Sequence, residues 1–171
     1  MYTFEDLKQI MKTLRAEDGC PWDRAQDHDT LKKHLVEECA EVLEAIDAHD
    51  TENLCEELGD VLLQVLFHAS IEEDAGRFTL DDVADGICKK LILRHPHVFG
   101  GAAATPDSWE ELKRQEKGQT TYTATLQSVA KSLPGLWRAE KIQSKTAKAG
   151  FDWDSALSAL GKLEEEVREL R

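Results

Sequence analysis

Apolar residues recur along this 171-residue chain at intervals of three and four, and strict alternation is nearly absent, so the pattern predicts an all-α fold. The first helix is expected to start at Thr3, with Asp6 three residues on as a capping-box variant, and to bury Leu7, Ile10, Met11 and Leu14. A loop containing Gly19-Cys20-Pro21-Trp22-Asp23 follows. A second helix, from about Thr30 to Ala48, lines up Leu31, Leu35, Cys39, Val42, Leu43 and Ile46. After a short connection through Asp50 and Thr51, a third runs from Asn53 to about Glu73 and lines up Leu54, Leu58, Val61, Leu62, Val65 and Ala69. Two long amphipathic helices joined by so few residues predict an antiparallel hairpin.

A fourth helix is expected near Thr79, with Asp82 at the capping-box position, ending before Pro96. Ser108 to Glu111 reads as a full capping box opening a short helix that Gly118 can close. From Gln119 to Ser132 the composition turns to Thr, Gln, Ser and Ala, which predicts a linker. Residues 133–171 read as a basic helix (Arg138, Lys141, Lys145, Lys148), a stop at Gly150 and a last helix from about Ser155. Gly19-Cys20-Pro21-Trp22-Asp23 is echoed by Gly150-Phe151-Asp152-Trp153-Asp154, and each is followed by clustered acids, Glu37-Glu38-Cys39-Ala40-Glu41 and Glu165-Glu166-Val167-Arg168-Glu169. Matching order and spacing predict an internal repeat whose second copy lacks its partner helix.

Charge narrows the class. The net charge is −13, and residues 1–60 carry −11 of it, which argues against nucleic acid or an anionic membrane as the main partner. Cys20, Cys39, Cys55 and Cys88 form no C-x-x-C pair and no apolar run approaches membrane-spanning length. With no secretory leader in the first residues, the expectation is a cytoplasmic protein with reduced thiols.

The acids of the hairpin have a geometry. With the turn centred on His49, Glu38 and Asp60 are each 11 residues from it, and Glu41 and Glu57 each 8. At about 1.5 Å per residue both pairs sit at matching heights, roughly 16 and 12 Å from the turn. Glu38 borders the apolar stripe and Glu57 lies on the edge of the opposing one, so the four can face one point. Carboxylates crowded in this way must protonate, splay into solvent or bind cations, and all-oxygen sites select hard ions such as Mg²⁺ or Mn²⁺ over zinc. Gly59, mid-helix at a cost of roughly 1 kcal/mol, fits close backbone approach in such a bundle. A di-iron site is disfavoured, because no histidine has a Glu three residues before it. The bland alternative is a solvated acidic face on a non-catalytic helical interaction module.

E-E-x-x-E at Glu37 to Glu41, a 15-residue gap and E-x-x-D at Glu57 to Asp60, preceded by Gly-Cys-Pro-Trp-Asp and followed by Arg-His-Pro-His-Val-Phe-Gly at 94–100, resembles the MazG nucleoside triphosphate pyrophosphohydrolases. The resemblance implies hydrolysis of a nucleoside triphosphate to the monophosphate and pyrophosphate, in a role of clearing unwanted nucleotides. It implies Mg²⁺, with Mn²⁺ as substitute, held by Glu38, Glu41, Glu57 and Asp60. It also implies a homodimer or higher homo-oligomer in which two hairpins complete a four-helix bundle. Residues 1–118 then form a catalytic module, 119–132 a linker and 133–171 the start of a second, incomplete repeat. That repeat lacks any E-x-x-D and should be inert, and Leu93 stands where a second basic residue commonly precedes Arg94. Related dimeric pyrophosphohydrolases share the carboxylate pattern, so a dUTP- or dCTP-specific enzyme is the nearest alternative.

Within that reading Glu37 or Glu38 orients or deprotonates the attacking water, with Glu38 chiefly a ligand. Lys90 and Arg94, four apart on the fourth helix, extend the stripe of Val83 and Ile87 and suit a triphosphate. Trp22 could stack on a base or plug the core. His95 and His97 are expected to cap or pack rather than bind metal, Phe99 and Trp109 to be core, and Cys39 and Cys55 to be poor Mg²⁺ ligands.

Overall fold

The computed structural model describes residues 1–101, 112–114, 116, 118 and 120–171, and among them every regular element is helical. Helix α1 (Phe4–Arg15) begins with the expected capping box: the Asp6 amide donates to the Thr3 hydroxyl oxygen, and the Asp6 carboxylate accepts from the Thr3 amide at 2.7 Å. The segment expected as a loop after it contains a short helix, α2 (Pro21–Ala25), with Pro21 supplying the fixed φ of a first helical position. Helix α3 (His28–Asp47) starts two residues ahead of expectation, because Asp27 accepts from the amides of Asp29 and Thr30 and takes the cap. Asp50 does the same for α4 (Thr51–Asp74). The hairpin turn between α3 and α4 closes on His49, whose φ of 54° is left-handed. The His49 amide donates to Ile46 O and the Asp50 amide to Ala45 O, a Schellman closure in a position glycine usually fills.

Helix α5 (Leu80–Arg94) opens on the expected Thr79–Asp82 box and stops before Pro96, which starts a single turn, α6 (Pro96–Phe99). The expected capping box at Ser108 to Glu111, and Trp109 with it, lie outside the described residues. The segment expected as a linker is not irregular throughout: α7 (Tyr122–Gln127) forms there, capped by the Thr121 hydroxyl. Helices α8 (Gly135–Lys148) and α9 (Ala156–Glu169) match the basic helix and the last helix. The chain divides into two compact units, residues 1–91 and 92–171; the first is built on α3 against α4 with α1 packed on α4, and in the second α7 packs on α8.

The core of the first unit is Met11, Leu31, Leu66 and Phe67, with Leu7, Leu62, Leu63, Ile71 and Leu80 packed against it. Leu66 and Phe67 lie beside the stripe expected for α4, since that helix is covered by both α3 and α1 and so buries two faces. Conversely, Ile10, Cys39, Leu43, Ile46, Leu58 and Val65, all expected inside, are exposed. One facing helix covers a narrower strip than these sequences make apolar, and the remainder is uncovered among the described residues. Val83 and Ile87 on α5 and Phe99 on α6 are exposed as well, so none of them is core. Among the described residues nothing lies within 4 Å of a Cβ added at Gly59, so none of the described helices uses a close approach there. Close approach occurs at Gly19 instead, where a Cβ would sit 2.3 Å from the Leu14 carbonyl oxygen.

Candidate functional site

The hairpin brings three of the four expected ligands together. Glu38 and Glu41 on α3 and Glu57 on α4 each offer a carboxylate oxygen within 4.8 Å of the other two. Asp60 is outside that trio but close enough for its charge to act on both Glu38 and Glu57. Glu38 and Glu57 are half-buried at the edge of the helix–helix seam and Glu41 is exposed. The seam explains the electrostatics: partial burial pushes the Glu38 carboxyl above its ordinary value, and contact with Glu41 and the charges of Asp60 and Glu57 push it the same way. Glu57 is raised in the same manner, first by burial, then by Glu41, Asp60 and Glu56. Carboxylates that touch are held together by protons unless a cation replaces them. The donor set is all oxygen and includes no thiol or imidazole, which fits a hard divalent ion and not zinc.

Glu37 is not brought into this group. Its carboxylate pairs with Lys33 at 2.9 Å and His34 at 3.4 Å on its own helix, and Lys33 holds it below the usual carboxylate range. Trp22 is also apart from the acids: it is 56% exposed and lies in a T-shaped contact with Phe67, ring centroids 6.4 Å apart. Phe67 lies ten residues along α4 from Glu57, about 15 Å. Lys90 is exposed on α5, whereas Arg94 is occupied by Glu116, with Nε and Nη2 at 2.9 and 2.6 Å from one carboxylate oxygen. His95 and His97 face each other with centroids 5.7 Å apart.

A second titratable group was not foreseen. His28, the first residue of α3, meets His68 of α4 through facing Nδ1 atoms, and His28 also reaches Glu72, which Arg77 grips from the following loop. Forty residues separate the two histidines, and no local spacing joins them.

A helical hairpin presenting an oxygen-only cluster defines a candidate hard-cation centre. The model of the MazG nucleotide pyrophosphohydrolase domain matches residues 26–99, from just ahead of α3 to the end of α6. The chain is 45% identical, over 98% of its length and 66% of the relative's, to a protein of Thermotoga maritima named nucleoside triphosphate pyrophosphohydrolase/pyrophosphatase MazG. It is 40% identical, over 99% of its length and 67% of the relative's, to the nucleoside triphosphate pyrophosphohydrolase of Escherichia coli K12. The chain thus spans about two thirds of the length of these relatives. The crystal structure of a mazG-related protein from Thermotoga maritima superimposes on 67% of this chain and 99% of that one, with a TM-score of 0.55 and 28% identity. This chain belongs to the MazG nucleotide pyrophosphohydrolase family. Among the described residues no helix is long and apolar enough to cross a membrane.

Proposed function

We propose that the chain is a Mg²⁺-dependent pyrophosphohydrolase that converts nucleoside triphosphates to monophosphates and pyrophosphate. One observation carries the reading: Glu38, Glu41 and Glu57 converge from two helices into an oxygen cluster whose half-buried members resist ionisation. These three, with Asp60 beside them, would hold the ion. Bound Mg²⁺ supplies charge neutralisation on the phosphate oxygens and polarises water.

The protein's own share is positioning and proton handling. Water attacks one of the phosphorus atoms of the α–β bridge, a P–O bond forms and the bridge P–O bond breaks, and a carboxylate receives the water's proton. Glu38 suits that last role better than Glu37, which Lys33 and His34 keep engaged and weakly basic. Lys90 makes no ion pair among the described residues and is assigned to the triphosphate, while Arg94 would have to exchange Glu116 for a phosphate. Trp22 is assigned to a base only through the ring surface that Phe67 leaves uncovered.

A homodimer is part of the same reading. Val36, Leu43, Ile46 and Leu58 leave an apolar strip on the hairpin 45–70% exposed, and a second hairpin laid on it would complete a four-helix bundle. The division into a module over 1–118, a linker over 119–132 and the start of a second repeat over 133–171 is likewise inferred, with the family match ending at residue 99 in its support. The four cysteines are free, and three of them are exposed, which suits a reducing cytoplasm.

The test is pyrophosphate release from a mixture of standard and non-standard nucleoside triphosphates, with Mg²⁺ and with EDTA, for the natural chain and Glu57→Gln. Release that needs both the metal and Glu57 is expected. Release confined to dUTP or dCTP would narrow the substrate class, and Mg²⁺ affinity unchanged by Glu57→Gln would overturn the reading in favour of a non-catalytic acidic face.

A further inference from the structure

We propose that His28, His68, Glu72 and Arg77 form a clasp that fastens the open end of the α3–α4 hairpin, stays closed with no or one extra proton on its histidine pair, and opens when both histidines are protonated. The two imidazoles meet edge to edge, with centroids 5.0 Å apart, planes within 16° of each other and Nδ1 of one 2.7 Å from Nδ1 of the other. Nε2 of His28 lies 2.5 Å from Oε1 of Glu72. Arg77 completes the chain, donating from Nε to Oε2 at 2.5 Å and from Nη2 to Oε1 at 2.7 Å. Glu72 is the one carboxylate among the buried residues of the first unit, 9% exposed.

Hydrogen-bond bookkeeping dictates the behaviour. Glu72 is ionised, since Arg77 and then His28 hold its carboxyl at about 2, so it can only accept and His28 must donate to it from Nε2. With both rings neutral, Nδ1 of His28 is then an acceptor and His68 donates to it from its own Nδ1. One added proton is accommodated on His28, which donates from both nitrogens to Glu72 and to a His68 that now accepts. Two added protons put N–H against N–H at 2.7 Å, and the contact cannot survive.

The immediate surroundings of His68 oppose a proton there. The groups facing the pair are Glu72 from α4, Arg77 from the loop after it and Asp27 at the start of α3, whose carboxylate feels His28. The adjoining cavity, about 420 Å³, is otherwise lined by Leu35, Val65, Ala69, Phe78 and Val83. Burial, and then the charge of His28, push His68 below the ordinary histidine value. A depressed histidine makes its contribution above its unfolded value and loses it as pH falls through the folded one, so the clasp weakens on acidification.

Its place in the fold gives it consequence. The His49 turn pins one end of the hairpin and the clasp the other, and Glu38 and Glu57 lie between, 10 residues from His28 and 11 from His68. The four residues are therefore positioning residues for the register of the two helices that carry the acids.

The deciding experiment is ¹⁵N-edited NMR of the histidine rings in the metal-free chain, titrated from about pH 8 to about pH 5, across the ordinary histidine value of about 6.5, with amide exchange followed in parallel. We expect His68 to carry its proton on Nδ1 at the upper end and to charge below about 6.5. Amides of the first turn of α3 should lose protection as it charges while the middle of α4 keeps it. Nδ1 unprotonated at the upper end, or α3 protection that is unaffected when both rings are charged, would overturn the proposal. In His68→Gln the drop in Tm between about pH 7.5 and about pH 5.5, which brackets that value, should shrink relative to the natural chain; an undiminished drop would also overturn it. None of these readouts involves metal or hydrolysis, so they stand or fall apart from the pyrophosphohydrolase reading.

Discussion

Replacing Glu38 by Gln removes a charge and a ligand from the acidic trio while keeping the side chain's shape. In the metal-free protein this relieves the repulsion that raises Glu38 and Glu57, so Tm should rise. A raised carboxyl detracts from stability at neutral pH and returns that loss as pH falls through its folded value, so the gain should be largest near neutrality and fade on acidification. Metal reverses the order of the two proteins. A ligand at 100 times its Kd stabilises by about 2.7 kcal/mol, and each kcal/mol moves Tm by roughly 2–4 °C at this chain length, so Mg²⁺ at that excess should raise the natural protein by about 5–11 °C. Loss of a group that merely supports a metal ligand costs about 10–100-fold in affinity, and loss of the ligand itself at least as much. At the same Mg²⁺ concentration Glu38→Gln then keeps about 0.4–1.4 kcal/mol of the effect, roughly 1–6 °C. Thermal unfolding over a Mg²⁺ series measures both quantities. Equal Mg²⁺ shifts in the two proteins, or a metal-free Tm lowered by the substitution, would refute the assignment of these carboxylates to a cation.

Leu31, 1% exposed at the start of α3 and part of the core with Met11, Leu66 and Phe67, should cost about 3–5 kcal/mol as Leu31→Ala, read by urea unfolding. His49→Gly should stabilise by about 0.5–1 kcal/mol, because relief of the left-handed strain exceeds glycine's added unfolded-state entropy; a loss of stability would count against the Schellman turn. Glu72, held at about 2 against an ordinary 4.5, contributes stability above the ordinary value that is lost as pH falls from there through about 2. Glu72→Gln should lower stability at neutral pH and flatten that acid limb in pH-dependent unfolding, and an acid limb identical to the natural one would remove Glu72 from the account.

Much of the fold was legible because its causes are local. Thr3–Asp6 and Thr79–Asp82 cap their helices within a single turn, and the period of the apolar residues sets helix type without reference to partners. The meeting of Glu38, Glu41 and Glu57 was legible for a related reason: a hairpin with a short turn has one register, so distance from His49 in sequence becomes height in space. Burial was much less so. Periodicity gives the direction of a face and not what covers it, which is why Leu43, Ile46, Leu58 and Val65 are exposed while Leu66 and Phe67, outside the expected stripe, are core.

The amino-acid sequence by itself determined helices, hairpin and the acidic point, since each follows from neighbours in the chain or from one turn. Tertiary structure alone decided that Glu37 turns to Lys33 and His34, that Arg94 is taken by Glu116, and that His28 meets His68 and Glu72. Which of several partners within reach a long charged side chain takes depends on the whole local field and on the packing of elements distant in sequence. No spacing rule encodes that choice.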